Sequence, residues 1–263
     1  MITAGCDVGS RFGKVVLVQD GKVLAHGIVR SEIESDKTSR KALDKALEGL
    51  DIGLDDIDYA IGTGYGKLNI SFAQETISEL ACIAMGAFDI NPKVRMVIDI
   101  GGQDAKVLKV DDMGRVSDFV LNDKCASGTG RFLEDIARVL EVGMEDMGAL
   151  ALQSENPAQI SSQCSVFAKS EVVSLIAENI VNTDIAAGIS EAISSRTASM
   201  VHRLNAEEEA LMSGGVAKNE RVVKDIEDKI GIRLIPYSTD PQLVCALGAA
   251  LHAQKKALAA INA

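Results

Sequence analysis

One short pattern occurs twice in this chain, in a single register. Asp7-Val8-Gly9 returns as Asp99-Ile100-Gly101, and at the same offset Lys14 returns as Lys106. Val15-Val16-Leu17-Val18 returns as Val107-Leu108-Lys109-Val110, and Asp20 returns as Asp112 at a glycine-containing turn. Both copies then run into a third β-like stretch, 22–29 and 115–121. Each copy reads strand, Asp-x-Gly turn, strand, Asp/Gly turn, strand. Glycine supplies the positive φ such turns need, and aspartate bonds its own nearby backbone. A lone Asp-x-Gly is commonplace. A turn, a lysine, a strand and a second turn agreeing in one register point to a duplicated α/β architecture.

Helical patterns fill the intervals at 37–50, 75–88, 129–141, 166–179 and 184–204. A short strand at 209–212 leads into Ser213-Gly214-Gly215 and a helix from Asn219, 232–235 reads as a strand, and Pro241 opens a last helix. The expected division is a first subdomain over 1–110, rejoined by the C-terminal helix 241–263, and a second over 111–240.

The charge balance is 27 basic against 38 acidic residues, a net −11. Non-specific binding of a nucleic-acid backbone needs clustered Lys and Arg, and so does an anionic membrane surface, so neither is an expected partner. Apolar residues reach 47% but aromatics only 3%, with no Trp, so the core must be Ile, Leu, Val, Ala and Met. The start MITAGCDVGS lacks a basic stretch followed by an apolar one, and the longest apolar run, 243–251, is far short of a membrane span. A cytoplasmic protein is expected.

Two glycine turns, each carrying an aspartate, suit one phosphorylated ligand between them. Gly9, Gly101 and Gly102 let backbone N–H groups approach phosphate oxygens. Asp7 and Asp99 cannot bind phosphate directly and would instead hold hydrated Mg²⁺. Ser10 and Lys14 offer a hydroxyl and a charge, and Gln103 and Asp104 offer groups to orient an attacking water. Gly62-Thr63-Gly64-Tyr65-Gly66 adds permissive backbone at the end of a strand. Gly214, Gly215 and Asn219 lie between a strand and a helix, where a helix N-terminus can meet a ribose, a base or an anion. The bland alternative is a pair of ordinary hairpin turns with exposed aspartates. Neither the G-x-x-x-x-G-K-[ST] loop nor the G-x-G-x-x-G fingerprint is present.

The five cysteines, Cys6, Cys82, Cys125, Cys164 and Cys245, are odd in number and widely spaced, which is not a disulfide framework. Cys6 falls in a strand, and Cys82 and Cys245 fall within apolar helices, as small core residues do. Cys125 and Cys164 each come shortly before a helix, where the dipole favours a thiolate. They are either idle thiols or metal ligands. Two are too few for a cubane iron–sulfur cluster, which takes four thiolates, but a twofold dimer supplies the other two.

The phosphate turns, the connection 61–66 and the segment 211–219 together resemble the acetate and sugar kinase, Hsp70 and actin superfamily. That resemblance implies two ribonuclease-H-like subdomains (an actin-like ATPase fold) around a cleft for Mg-ATP. A narrower resemblance rests on Asn-Asp-Lys-Cys-Ala-Ser-Gly-Thr-Gly-Arg-Phe-Leu from Asn122, on Cys164 to Glu171, and on Asp-Ile-Gly-Gly-Gln-Asp from Asp99. These are similar to the activators of 2-hydroxyacyl-CoA dehydratases and to the ATP-binding subunits of benzoyl-CoA reductase. The resemblance implies that Cys125 and Cys164 ligate a [4Fe-4S] cluster shared between two subunits, alike or merely homologous. It implies that Gly128, Thr129 and Gly130 belong with the cofactor-binding positions. It also implies that ATP hydrolysis drives single electrons, delivered by ferredoxin or flavodoxin, into an acyl-CoA dehydratase or reductase. A small-molecule kinase without a cluster is the alternative, and it leaves both cysteines without work. A chaperone-like ATPase is disfavoured by the lack of room for inserted subdomains.

Overall fold

The computed structural model describes residues 1–123, 125, 128–160 and 164–261. The chain divides into two units. The first comprises Met1–Val94, Val110–Ser117 and Tyr237–Ala263, and the second Arg95–Lys109 and Asp118–Pro236.

In the first unit β1 (Ile2–Val8), β2 (Phe12–Gln19) and β3 (Lys22–Arg30) form an antiparallel meander. Strands β4 (Tyr59–Thr63) and β5 (Glu75–Thr76) continue the sheet in parallel, giving the order β3-β2-β1-β4-β5. The helices are α1 (Ser35–Leu47), α2 (Glu79–Ile90) and, from late in the chain, α8 (Val244–Ile261). Strand alternation explains why β2 is apolar without a break. Val15 and Leu17 pack with Ala4, Cys6 and the α1 residues Ala42 and Leu43, while Val16 and Val18 pack with Met85, Ala246 and Leu247 of α2 and α8. Both faces of the sheet are covered, so both need apolar side chains. Burying one such side chain is worth about 1.5–3 kcal/mol. Gly5 lets α8 lie on β1: a Cβ there would stand 2.1 Å from the Ala246 carbonyl oxygen.

The second sheet is β6 (Met96–Ile100), β7 (Ala105–Val110), β8 (Val116–Asn122) and β9 (Ala210–Ser213), ordered β8-β7-β6-β9, and all but Val110, Val116 and Ser117 belong to the second unit. Strands 96–110, grouped by the sequence reading with the first subdomain, thus pair with β8 and β9, and the units divide between Val94 and Arg95. The helices are α3 (Gly130–Val139), α4 (Met147–Leu152), α5 (Ser165–Ala177), α6 (Asn182–Arg203) and α7 (Glu220–Ile230). One core joins Ile98, Ile100 and Val107 of the sheet to Leu133 and Ile136 of α3, Ile185 and Ile189 of α6, and Val222 and Ile226 of α7. The strand expected at 232–235 does not form. Ile235 N reaches the Ala210 carbonyl oxygen at 2.8 Å, but Leu234 N is taken by the Glu227 side chain at 2.8 Å, so the stretch has no continuous ladder. No helix among the described residues is long and apolar enough to cross a membrane.

Candidate functional site

The two Asp-x-Gly turns are closed by the same backbone bond. Gly9 N donates to the Phe12 carbonyl at 3.1 Å, and Gly101 N donates to the Asp104 carbonyl at 3.0 Å. Asp7 stands opposite Lys14 across β1 and β2, as Asp99 stands opposite Lys106 across β6 and β7. The parallel neighbour is Thr63 for Asp7 and Ser213 for Asp99. Each aspartate therefore ends a central strand between a lysine and a hydroxyl residue, inside its own unit.

In the first unit Lys14 Nζ lies 2.7 Å from Asp7 Oδ2 and 3.1 Å from the Phe12 carbonyl oxygen. The sequence suggests Lys14 as a phosphate charge; the fold commits it to Asp7. Thr63 turns its hydroxyl to the Ile77 carbonyl at 2.9 Å instead of to the aspartate. Asp7 Oδ1 is left buried with no hydrogen-bond partner. Gly64, at φ +89°, keeps the space beside that oxygen: a Cβ there would come within 2.5 Å of it. Gly9 is half-buried, with its carbonyl taken by the Ser31 hydroxyl at 2.7 Å, and Ser10 is exposed.

The second unit satisfies its aspartate differently. Ser213 Oγ donates to Asp99 Oδ1 at 2.7 Å. Lys106 Nζ sits 2.7 Å from Asp104 Oδ2 and 3.7 Å from Asp99 Oδ2. All three of these charged side chains are nearly buried, whereas Gln103 at the tip of the turn is exposed. Gly101 and Gly102 are half-buried, and Gly214, at φ +84°, allows the turn after β9 to pass β6: a Cβ there would lie 2.3 Å from the Ile100 carbonyl oxygen. Gly215 begins a short 3-10 turn that ends at Asn219. Asn219 caps α7, its Oδ1 accepting from Val222 N at 3.0 Å, while its Nδ2 is buried without a partner. An unmatched buried donor costs about 1–3 kcal/mol, which a bound polar group would recover.

The start of α3 is tied to the same turn. Thr129 is the buried residue preceding α3, and the first two amides of that helix donate to the phosphate turn: Gly130 N to the Gly101 carbonyl and Arg131 N to the Gly102 carbonyl, each at 2.9 Å. The first two amides of α3 are thus bonded to Gly101 and Gly102. Cys164 is exposed and is the N-cap residue of α5. Cys125 is partly exposed, with Asn122 Nδ2 3.3 Å from its carbonyl oxygen and Arg196 Nη1 3.8 Å from its Sγ. Lys124, Ala126, Ser127 and 161–163 lie outside the described residues. The other three cysteines are buried. Burial pushes the Cys6 thiol up, helped by the Asp7 charge, and the Cys245 thiol is pushed up by its hydrogen bond with Cys82 and by burial. Groups so held in the thiol form are poor metal ligands. Among the described residues no cluster of three or more His, Cys, Asp or Glu is set to hold a metal within one chain.

Comparison with known proteins identifies the class. The model of the BadF/BadG/BcrA/BcrD ATPase family matches residues 4–253. The chain belongs to this family. It is 42% identical to the activator of lactoyl-CoA dehydratase of Anaerotignum propionicum, across 98% of this chain and 99% of that one. It is 31% identical to a benzoyl-CoA reductase subunit of Thauera aromatica, across 95% and 92%. Among solved structures, the activator of the 2-hydroxyisocaproyl-CoA dehydratase from Clostridium difficile with bound ADPNP superposes with a TM-score of 0.95 at 41% identity, covering 100% of this chain and 97% of that one. A ROK family glucokinase from Streptomyces griseus superposes at 0.59 with 13% identity over 97% and 100%, a likeness of fold alone. The duplicated, actin-like ATPase fold that the resemblance implies is therefore the fold of this chain, and its relatives include activators of 2-hydroxyacyl-CoA dehydratases and a benzoyl-CoA reductase subunit.

Three features escape a reading of the sequence. Ser213 shows there as part of a glycine turn, not as the donor to Asp99. Lys106 shows as a repeat marker, not as a nearly buried cation between two carboxylates. Arg196 carries no motif at all.

Proposed function

We propose that this protein is the activating ATPase of an acyl-CoA dehydratase: it binds and hydrolyses Mg-ATP and thereby drives single electrons into that partner. The observation that carries the reading is the bonding of α3 to the Gly101-Gly102 turn, because it fastens the segment after Cys125 to a phosphate motif. The residues fit the groups implied. Asp7 Oδ1 is a buried acceptor lacking a donor, which suits the water shell of Mg²⁺. Asn219 Nδ2 is a buried donor lacking an acceptor, which suits the ribose or base of ATP. Gly102, Gly214 and Gly215 offer backbone amides, Gly9 and Gly101, whose amides close their own turns, offer close passage, and Gln103, exposed on its turn, orients the hydrolytic water. Asp99 and Asp104 hold Lys106, so their part is to fix the turn rather than to take a proton.

Cys125 and Cys164 are both accessible and both outside any disulfide, a donor set that suits half of a cubane site. A second copy of this chain supplies the other half. When bound there, a [4Fe-4S] cluster supplies one-electron chemistry at low potential, with ferredoxin or flavodoxin as the donor. The nucleotide's task is a conformational bias: moving an equilibrium from 1:99 to 99:1 takes about 5.5 kcal/mol of differential binding. A kinase reading gives neither exposed cysteine a role.

The test is iron and acid-labile sulfide per chain after anaerobic purification of wild type, Cys125→Ser and Cys164→Ser. About two irons per chain in wild type, lost in both variants, supports the shared cluster. ATPase activity without iron in wild type would remove the electron-transfer step and leave only the nucleotide site.

A further inference from the structure

Arg196 has no part in the reading above, yet it lies between the two halves of the proposed chemistry. It stands on α6 two residues from Ser194. Its Nη1 is 3.8 Å from Cys125 Sγ, within hydrogen-bond reach for sulfur. Gly128, at φ +101°, sits where a Cβ would come 3.1 Å from Arg196 Cδ, so Gly128 lies directly on the arginine stem. Ser194 Oγ reaches the Val222 carbonyl oxygen at 3.3 Å. Val222 is in the first turn of α7, and its amide is the one capped by Asn219. One turn of α6 therefore touches both the helix start at the nucleotide motif and the sulfur of Cys125. The same helix is built to bend: buried Ser190, Ser194 and Thr197 each donate to the carbonyl four residues back, at 3.0, 2.8 and 3.1 Å.

We infer that Arg196 is a positioning residue that sets the one-electron potential of the cluster held by Cys125, and that nucleotide at Asn219 changes that setting through α6. The inference rests on the cluster reading proposed above. A guanidinium is always charged and donates hydrogen bonds without giving up its proton. Beside a cluster sulfur it favours the form that has gained an electron and is one unit more negative, so it raises the potential. Drawing Arg196 back from the sulfur makes the same cluster a stronger reductant toward the partner. The electron enters from the one-electron donor protein and leaves to the acyl-CoA enzyme; the arginine neither gains nor loses one.

The test compares wild type, Arg196→Gln and Arg196→Lys, purified anaerobically, by iron content and by midpoint potential read from the electron-spin signal with ADP and with ATP. Arg196→Gln should keep its iron and fall in potential by at least a tenfold change in the electron-transfer equilibrium, 59 mV for a one-electron couple. Arg196→Lys, with a charge but no fork, should fall between the two, and the gap between ADP and ATP states should shrink in both. An unchanged potential in an iron-loaded Arg196→Gln overturns the inference. So does a variant that binds ATP but no iron, since Arg196 would then merely hold the loop. If Arg196→Gln does not fold, Arg196→Lys decides by the same shift, and a wild-type potential there overturns the inference. Wild type without iron sinks the cluster reading itself, which the iron assay reports before any potential is measured.

Discussion

Lys106 is 5% exposed and lies between Asp99 and Asp104, so its charge is matched by two carboxylates that water scarcely reaches. Removing the cation takes the nearest positive charge from both, although Asp99 keeps the Ser213 hydroxyl. Lys106→Met should therefore lower stability by about 3–5 kcal/mol, the usual result of breaking a buried ion pair from one side, read as a lower denaturant midpoint. The effect should shrink when Asp104→Asn is added, because one uncompensated charge is then gone. Gln103 is the opposite case: exposed on the same turn, it contributes little to folding. Gln103→Ala should leave the midpoint within about 0.5 kcal/mol and ATP affinity near wild type. The ATPase rate constant should drop by about 10²-fold, and an unaltered rate would remove Gln103 from the chemistry. At this scale the sequence is informative where chemistry is local. Asp7, Gly9, Gly101 and Asp104 are legible because a tight turn dictates its own residues. The Ser213 hydroxyl on Asp99 and the Arg196 guanidinium on Cys125 are not, because each depends on strand and helix pairings between distant parts of the chain.

Helix α7 carries both stability and part of the candidate site, whereas the α1 carboxylate Asp36 adds to stability alone. Asn219 closes the start of α7 with its Oδ1 and leaves Nδ2 unmatched, and two substitutions separate these roles. Asn219→Ala should cost about 1 kcal/mol and also weaken ATP binding. Asn219→Asp keeps a good cap, so its stability should stay near wild type while ATP binding still weakens. Equal affinity in Asn219→Asp would confine Asn219 to the cap. In α1, hydrogen bonds from Ser71, then the one from Arg40, hold Asp36 down to about 2, well below the ordinary carboxylate range. A depressed value stabilises the fold above the unfolded pKa of about 4 and loses that stability as pH falls toward 2. Asp36 is partly exposed, so the gain is under about 1 kcal/mol. The melting-temperature gap between wild type and Asp36→Asn should narrow as the pH drops from about 6 to about 3. Element periods are legible because each sheet and helix buries a defined face. The stretch 232–235 misleads because its Ile and Leu pattern suits a strand, while Glu227 claims an amide the ladder needs.

Across the whole molecule, α5 is the element that a lone chain leaves unfinished. Of its thirteen residues only Ala168 and Val172 are buried, while Val166, Phe167, Val173 and Ile176 are exposed, immediately after the exposed Cys164. Exposed apolar side chains gathered on one helix mark a contact surface more often than free solvent. In a like pair each α5 N-terminus would be brought to the axis by its own Cys164, and those apolar side chains would be covered by the same association. If the cluster proposed above is shared by two copies of this chain, sedimentation under anaerobic conditions should give two chains of 27.8 kDa. Iron chelation and Cys164→Ser should each shift it toward one chain, and Phe167→Ser should weaken it while leaving ATP affinity unchanged. The two losses carry different meanings. A dimer that survives chelation but not Phe167→Ser would mean that apolar burial makes the pair and the cluster only occupies it. A dimer that survives both would place the shared axis elsewhere, and Cys125 and Cys164 would have to find their other two ligands on an unlike chain.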